Sequence, residues 1–277
     1  MRTAADIGEL KEISKELRVD IIRTILEAGS GHPGGSLSEI DMLVALYFGG
    51  ATNYRANEPS WPERDRFCLS KGHASPGYYA TLARAGYFPK EWLATFRKLG
   101  SPLQGHPDRT RVPGVEISAG SLGQGLSMAA GMAIGARLDG ASWHTFCMVG
   151  DGESQEGQVW EAIMFAGNHA LENLTCIVDS NQVQQTGFVR DIADLAPLGD
   201  KYRAFKWNVI EIDGHDHRQC LDALFASKEH KGHPTAIISH TIKGKGVSFM
   251  ELDYNWHGKA PNAEQAERAI AEIMGAK

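Results

Sequence analysis

The sequence predicts an α/β protein, a doubly wound, mostly parallel sheet with helices on both faces, as a single domain over residues 1–277 with an N-terminal helical segment and a C-terminal tail helix. Two observations predict it. From residue 117 onward, continuous apolar runs of strand length alternate with helix-length amphipathic segments, the βαβα order of a parallel sheet buried on both faces. Before that point Ile7, Leu10, Ile13, Leu17, Ile21 and Ile25 recur at three- and four-residue steps, the period of a helix with one apolar stripe.

The first helix spans about 6–28, with Asp6 as its cap and Gly29 after its end. A second begins at Ser36, where Glu39 three residues on forms a capping box, and stops at Gly49. GSGHPGGS lies between them. After a short apolar run at Phe67 to Leu69, SKGHAS leads to a third helix opened by Ser75 as cap and Pro76 in the first turn. There follow a Gly-rich turn, helix 123–138, strand 145–149, helix 156–170 and strand 174–179. Helix 197–206, strand 208–212, helix 216–228 and strand 235–240 complete the alternation, and the segment after Asn262 reads as a terminal helix.

Composition excludes several function classes. With 28 Lys and Arg against 34 Asp and Glu the net charge is −6, the wrong sign for a broad nucleic-acid-binding surface. No apolar stretch approaches the ~20 residues of a membrane helix, and the charged N-terminus is no secretory signal, so a cytoplasmic location is expected. Cys68, Cys147, Cys176 and Cys220 form no CxxC pair, which argues against a zinc or disulfide framework, and three of them, in apolar segments, are expected to be buried thiols.

The chemistry gathers around Asp151. The apolar strand HTFCMVG runs directly into Asp151 and Gly152, so the carboxylate stands just past the carboxyl end of a parallel strand, where open α/β sheets bind ligands. Gly150 and Gly152 leave the backbone open to a bulky oxyanion, and Asp151 offers a hard oxygen to Mg²⁺. Thirty residues later, after one helix and the strand LTCIVD, Asn181 arrives at a neighbouring strand end, so Asp151, the Asn181 amide oxygen and a backbone carbonyl near Val183 suit the ion. Few Lys or Arg flank GDG, so a diphosphate there would need a divalent metal for much of its neutralisation.

The spacing of GDG and Asn is that of thiamine-diphosphate enzymes. Over roughly residues 6–262 the chain resembles the N-terminal, diphosphate-binding domain of transketolase, through SGHPGGS, SKGHAS, QGHPD, GVEISAGSLGQG, GDGESQEGQVWEA, DSNQVQQTG, DGHD, IKGKG and WHGKAP. The resemblance implies thiamine diphosphate and Mg²⁺, with Ca²⁺ or Mn²⁺ as substitutes, and two-carbon transfer from a ketose phosphate to an aldose phosphate. It implies that His73 and His257 lie by the cofactor, while His32 and His106 line the ketose channel. The backbone of Gly120, Ser121 and Leu122 would flank the thiazolium ring, and Gln185 and Lys243 would contact the cofactor. Glu156 and Glu161, by charge pattern alone exposed residues of a helix, match carboxylates of a proton network between two active sites. His215 and His233 read as structural or surface residues.

Full-length transketolases continue into a pyrimidine-binding domain and a C-terminal domain. The expectation is therefore a separately encoded partner carrying both, assembled as a heterotetramer of two copies of each chain, with no nucleic-acid or membrane partner. A fragment of a longer protein is the alternative to a split enzyme. Competing activities are a 1-deoxyxylulose-5-phosphate synthase-like or 2-oxoacid decarboxylase chain, or a catalytically silent cofactor-binding chain. His32, His106 and WHGKAP favour a hydroxylated ketose donor.

Overall fold

The computed structural model describes residues 6–275; the outermost residues of the expected 1–277 domain lie outside them. In chain order the elements are α1 (Ile7–Ala28), α2 (Pro33–Phe48), β1 (Arg66–Leu69), α3 (Ser75–Arg84), α4 (Gln124–Leu138), β2 (Thr145–Gly150), α5 (Gly157–Asn168) and β3 (Leu174–Ser180). There follow α6 (Val189–Ile192), α7 (Leu198–Ala204), β4 (Asn208–Asp213), α8 (His217–Glu229), β5 (Thr235–His240) and α9 (Ala263–Ile273). The described strands form one sheet in the order β1-β2-β3-β5-β4, every adjacent pair parallel.

Strand residues alternate between two apolar layers, as the two-residue pleat requires. Phe67, Leu69, Phe146, Met148, Ile177 and Ile237 face α1, α2, α3, α8 and α9. Cys68, Cys147, Val149, Cys176, Val178 and Ile238 face α4, α5 and α7. Both faces are covered, which is why the strands read as continuous apolar runs. All four cysteines are free and buried. Cys68, Cys147 and Cys176 sit side by side on three adjacent strands beneath the alanines of α4, where small side chains admit close helix packing. Among the described residues no helix is long and apolar enough to cross a membrane.

The cap of α1 is as expected: the Asp6 carboxylate accepts from the Gly8 N–H, and Gly29 ends the helix at φ 62°. The next two helix starts differ. The helix expected from Ser36 begins at Pro33, and Ser36 makes no cap; its hydroxyl donates to the His32 and Ala74 carbonyls. Glu39 reaches inward to the Lys71 ammonium at 2.8 Å because α2 is buried on all sides from Pro33 to Tyr47, so the capping-box pattern serves an interior ion pair. Ser75 is the first residue of α3, not its cap, and its hydroxyl donates to the Gly105 carbonyl. The helix expected at 197–206 is shorter, and the one-turn α6 has no counterpart in the sequence reading.

Candidate functional site

The β2 and β3 tips are neighbours: Gly150 pairs with Asp179, so Asp151 and Asn181 leave the sheet side by side. The Asp151 carboxylate accepts from the Gly152 N–H at 2.8 Å and the Gln182 N–H at 2.6 Å. Gln182 adopts a left-handed φ of 69°, a conformation that costs of order 1–3 kcal/mol and recurs at ligand sites. Burial and the nearby Asp179 carboxylate push the Asp151 carboxyl up to about 6, against the pull of those two N–H groups and Lys243.

Asp179 settles which way Asn181 faces. This buried carboxylate accepts from Ser38 Oγ (2.7 Å), Lys71 Nζ (2.7 Å), Thr241 Oγ1 (2.5 Å) and Asn181 Nδ2 (2.8 Å). With its NH₂ committed there, Asn181 keeps Oδ1 as an oxygen donor whose one contact is the Val183 N–H at 3.2 Å. Burial would raise the Asp179 carboxyl and lower the Lys71 ammonium, but their mutual attraction outweighs it and both stay charged. Burial pushes Glu39, the third member, up to about 8 despite Lys71.

A cleft of about 350 Å³ opens above these tips, lined by thirteen of the fifteen residues singled out from sequence. Those present are His32, His73, His106, Gly120, Leu122, Asp151, Gly152, Glu156, Asn181, Val183, Gln185, Lys243 and His257. Ser121 and Glu161 do not line it, and Glu161 lies on the exposed side of α5. Glu156 stands at the start of that helix, also exposed. His215 lies elsewhere, hydrogen-bonded to Asp41, and His233 is exposed, so both stay outside the cleft as expected.

Three imidazoles pack ring against ring, with centroids 5.1 Å apart for His32–His73, 5.3 Å for His32–His257 and 5.1 Å for His73–His257. Burial, reinforced by nearby cations, lowers all of them: His32 to about 4, His257 to about 3, and His73 well below its ordinary value. His106 is lowered by burial and by Arg97. The four are neutral near pH 7, each able to give one hydrogen bond and take another. Lys243 Nζ donates to the Val183 carbonyl at 2.6 Å and to His257 Nδ1 at 2.8 Å, which leaves the His257 proton on Nε2. Burial lowers the Lys243 ammonium to about 8.

Sequence reasoning missed Lys71 and Glu153. Lys71 stands in the quoted SKGHAS and lines the cleft with Lys243, so the site holds more positive charge than the neighbourhood of GDG suggested. Glu153, and not Glu156 or Glu161, is the buried carboxylate after GDG. It accepts from Ser70 Oγ (2.5 Å) and the Gly123 N–H (2.9 Å), and from the Gly150 N–H (3.0 Å), which ties the GDG turn to GSLGQG. A carboxylate two residues past Asp151, inside the turn itself, was the available signal. At Gly125 a Cβ would stand 2.5 Å from Ser70 Cβ, so close packing accounts for that glycine.

Residues 10–276 match the family model "Transketolase, thiamine diphosphate binding domain". The chain belongs to the transketolase family. It is 43% identical to the 6-deoxy-6-sulfo-D-fructose transketolase subunit of Clostridium sp. (strain MSTE9), with 96% of each chain covered. It is 41% identical to the apulose-4-phosphate transketolase subunit of Actinobacillus succinogenes, again with 96% of each covered. The solved transketolase of Campylobacter jejuni superposes with a TM-score of 0.92 at 34% identity, covering 97% of this chain but 43% of that one. The chain thus covers nearly all of two transketolase subunits and under half of a long-chain enzyme; the similarity is to N-terminal subunits of split transketolases, a family of transferases.

Proposed function

We propose that this transketolase subunit holds thiamine diphosphate through Mg²⁺ and, with a partner chain, moves a two-carbon ketol unit from a ketose to an aldose bearing an anionic group. The observation that carries the reading is that Asp151, Asn181 and Val183 line one cleft with the packed imidazoles of His32, His73 and His257. The donor set is all hard oxygen, as Mg²⁺ prefers, and Ca²⁺ or Mn²⁺ would fit the same donors. Among the described residues no three His, Cys, Asp or Glu side chains cluster around a metal position. An ion at Asp151 would therefore draw its remaining ligands from the Asn181 amide, a backbone carbonyl, water and the cofactor's own phosphate oxygens.

Thiamine diphosphate, once bound, supplies the nucleophilic ring carbon and the electron sink that two-carbon transfer requires. The chain's residues position and move protons. Gly152, Gln185, Lys71 and Lys243 face the diphosphate end, and Gly120 and Leu122 border the ring. Neutral His73 and His257 hold hydrogen bonds by the cofactor. Neutral His32 and His106 exchange protons with the donor's carbonyl and first hydroxyl, and Arg97 Nη2, 3.4 Å from His32 Nδ1, leaves the His32 proton on Nε2, beside Gly258. Glu156 and Glu161 serve proton passage between two copies of the site.

The partner supplies a pyrimidine-binding and a C-terminal domain, in a heterotetramer with two copies of each chain, working in the cytoplasm. The two relatives' names point to a phosphorylated or sulfonated sugar, and the partner's residues set which. The test is two-carbon transfer from a ketose phosphate to an aldose phosphate by this chain alone and with its co-purifying partner, with and without Mg²⁺ and thiamine diphosphate. Activity only in the complete mixture is expected. Activity of this chain alone would overturn the two-chain reading, and an inactive complete mixture would favour a silent cofactor-binding role.

A further inference from the structure

The DGHD segment lies outside the cleft, yet it makes a hydrogen bond that reaches toward it. Asp213 closes β4 and accepts from the His215 N–H, while Asp216 caps α8 through the Arg218 and Gln219 N–H groups. Gly214 permits close passage past β5, since a Cβ there would stand 2.1 Å from Ser239 Oγ. This geometry delivers the His215 ring between two partners. Nδ1 lies 2.7 Å from Asp41 Oδ2, and Nε2 lies 2.9 Å from the Ile242 backbone nitrogen. A backbone N–H can only donate, so Nε2 is the bare nitrogen and Nδ1–H donates to Asp41.

Both ends of this contact are anchored. Asp41, buried on α2, is held by the Arg18 guanidinium of α1 through bonds of 3.0 and 2.6 Å. Burial would raise its carboxyl, but Arg18 and His215 outweigh that and keep it ionised. At the other end, residues 241–243 are pinned one after another. Thr241 Oγ1 donates to Asp179, the Ile242 N–H to His215, and Lys243 Nζ to Val183 O and His257 Nδ1. Of these three pins, the one at Ile242 is made by the DGHD segment.

We propose that His215 is a positioning residue for the cofactor cleft: by accepting the Ile242 N–H it fixes the turn after β5 that carries Lys243 to the diphosphate end. The inference rests on the cofactor reading above. A purely architectural His215 would need only its Asp41 bond, which braces α2 against the β4–α8 connection; a positioning His215 needs the Ile242 bond. Asparagine places an N–H donor near the position of Nδ1 and nothing at Nε2. Glutamine can place an acceptor oxygen near Nε2.

His215→Asn and His215→Gln are therefore compared with the unsubstituted full chain, each in complex with the co-purifying partner. Thermal midpoints are measured, with calorimetric affinity for inorganic diphosphate and for thiamine diphosphate, each with Mg²⁺, and with hydrogen exchange of the Ile242 amide. The expected result is faster Ile242 exchange and an affinity loss of about tenfold in the asparagine variant, the size of other supporting-residue losses, with both restored by glutamine. Binding by the asparagine variant within about twofold of the unsubstituted chain, or losses in both variants that merely follow their thermal midpoints, would overturn the inference while leaving the cofactor reading intact. Uptake of neither probe by the unsubstituted chain with its partner would overturn the cofactor reading itself, and the inference with it.

Discussion

Two clefts open at the carboxyl edge of the same sheet, and Asp151 borders both. The first, above β2 and β3, holds the histidines, Lys71, Lys243 and Asn181. The second, of about 280 Å³ above β3, β5 and β4, is walled by Val189, Leu195, Pro197, Leu198 and Ile238. Its charged groups pair in solvent: Glu211 lies 3.3 Å from both Arg203 and His240, all about half exposed. By apolar walls alone the second cleft is the better small-molecule pocket. The difference teaches that a strand-tip address is shared by a whole sheet edge. What selects one position along it is the convergence of oriented polar groups whose charge states the interior has already set.

Removing the shared carboxylate should break the comparison most sharply. Asp151→Ala deletes the carboxylate proposed to hold the ion, so calorimetric uptake of thiamine diphosphate with Mg²⁺ should weaken by more than about a hundredfold. Unchanged uptake would remove the ion from this site. Lys71→Met comes next and acts on stability. It leaves the Asp179 carboxylate buried without its counter-ion and Glu39 without its partner, a loss of about 3–5 kcal/mol in denaturant unfolding. Arg203→Met beside the second cleft breaks two exposed pairs, to Asp200 and Glu211, and should cost under about 1 kcal/mol.

These contrasts mark what the sequence could and could not disclose. The alternation of strands and helices, the covered faces and the pairing of Asp151 with Asn181 were legible because apolar runs and a thirty-residue crossover constrain topology directly. The cleft's histidines stood out through the family resemblance. Glu39 and Glu153 escape such reading because local pattern assigns a carboxylate to a cap or an exposed helix face. Both point inward, toward Lys71 and Ser70, which lie 32 and 83 residues away along the chain. The hydrogen bond from Ile242 to His215 has no local signature at all.

The cleft's neutral histidines also need a control outside it. His144, at the opposite edge of the sheet, is buried against Phe146 with Nε2 2.7 Å from Thr175 Oγ1. Burial, then Lys228 and Lys231, lowers it to about 3 from the ordinary 6.5, so a depressed imidazole does not by itself mark a functional site. Between those two values the unfolded chain binds the proton and the folded one does not. Stability is therefore full above about pH 6.5 and falls as the pH drops toward 3, at up to about 1.4 kcal/mol per pH unit for this one residue. His144→Gln should flatten the acid limb of stability between pH 6.5 and about 4, read from urea midpoints, with no change in cofactor affinity.

The smallest expected effect tests the second cleft itself. Leu195 is half-buried on its wall, and Leu195→Trp would fill much of the open space without touching the hydrogen bonds of Asp151, which run to Gly152 and Gln182. If the cleft is only the gap left where α6 and α7 cover the tips of β4 and β5, cofactor affinity should shift by less than about 0.5 kcal/mol, roughly twofold. A larger loss would mean that the left-handed Gln182, which lines this cleft while its N–H holds Asp151, transmits packing on one side of the loop to ion binding on the other. The two clefts would then be one functional unit sharing a strained residue, and the division between them would fall at the level of chemistry and not of structure.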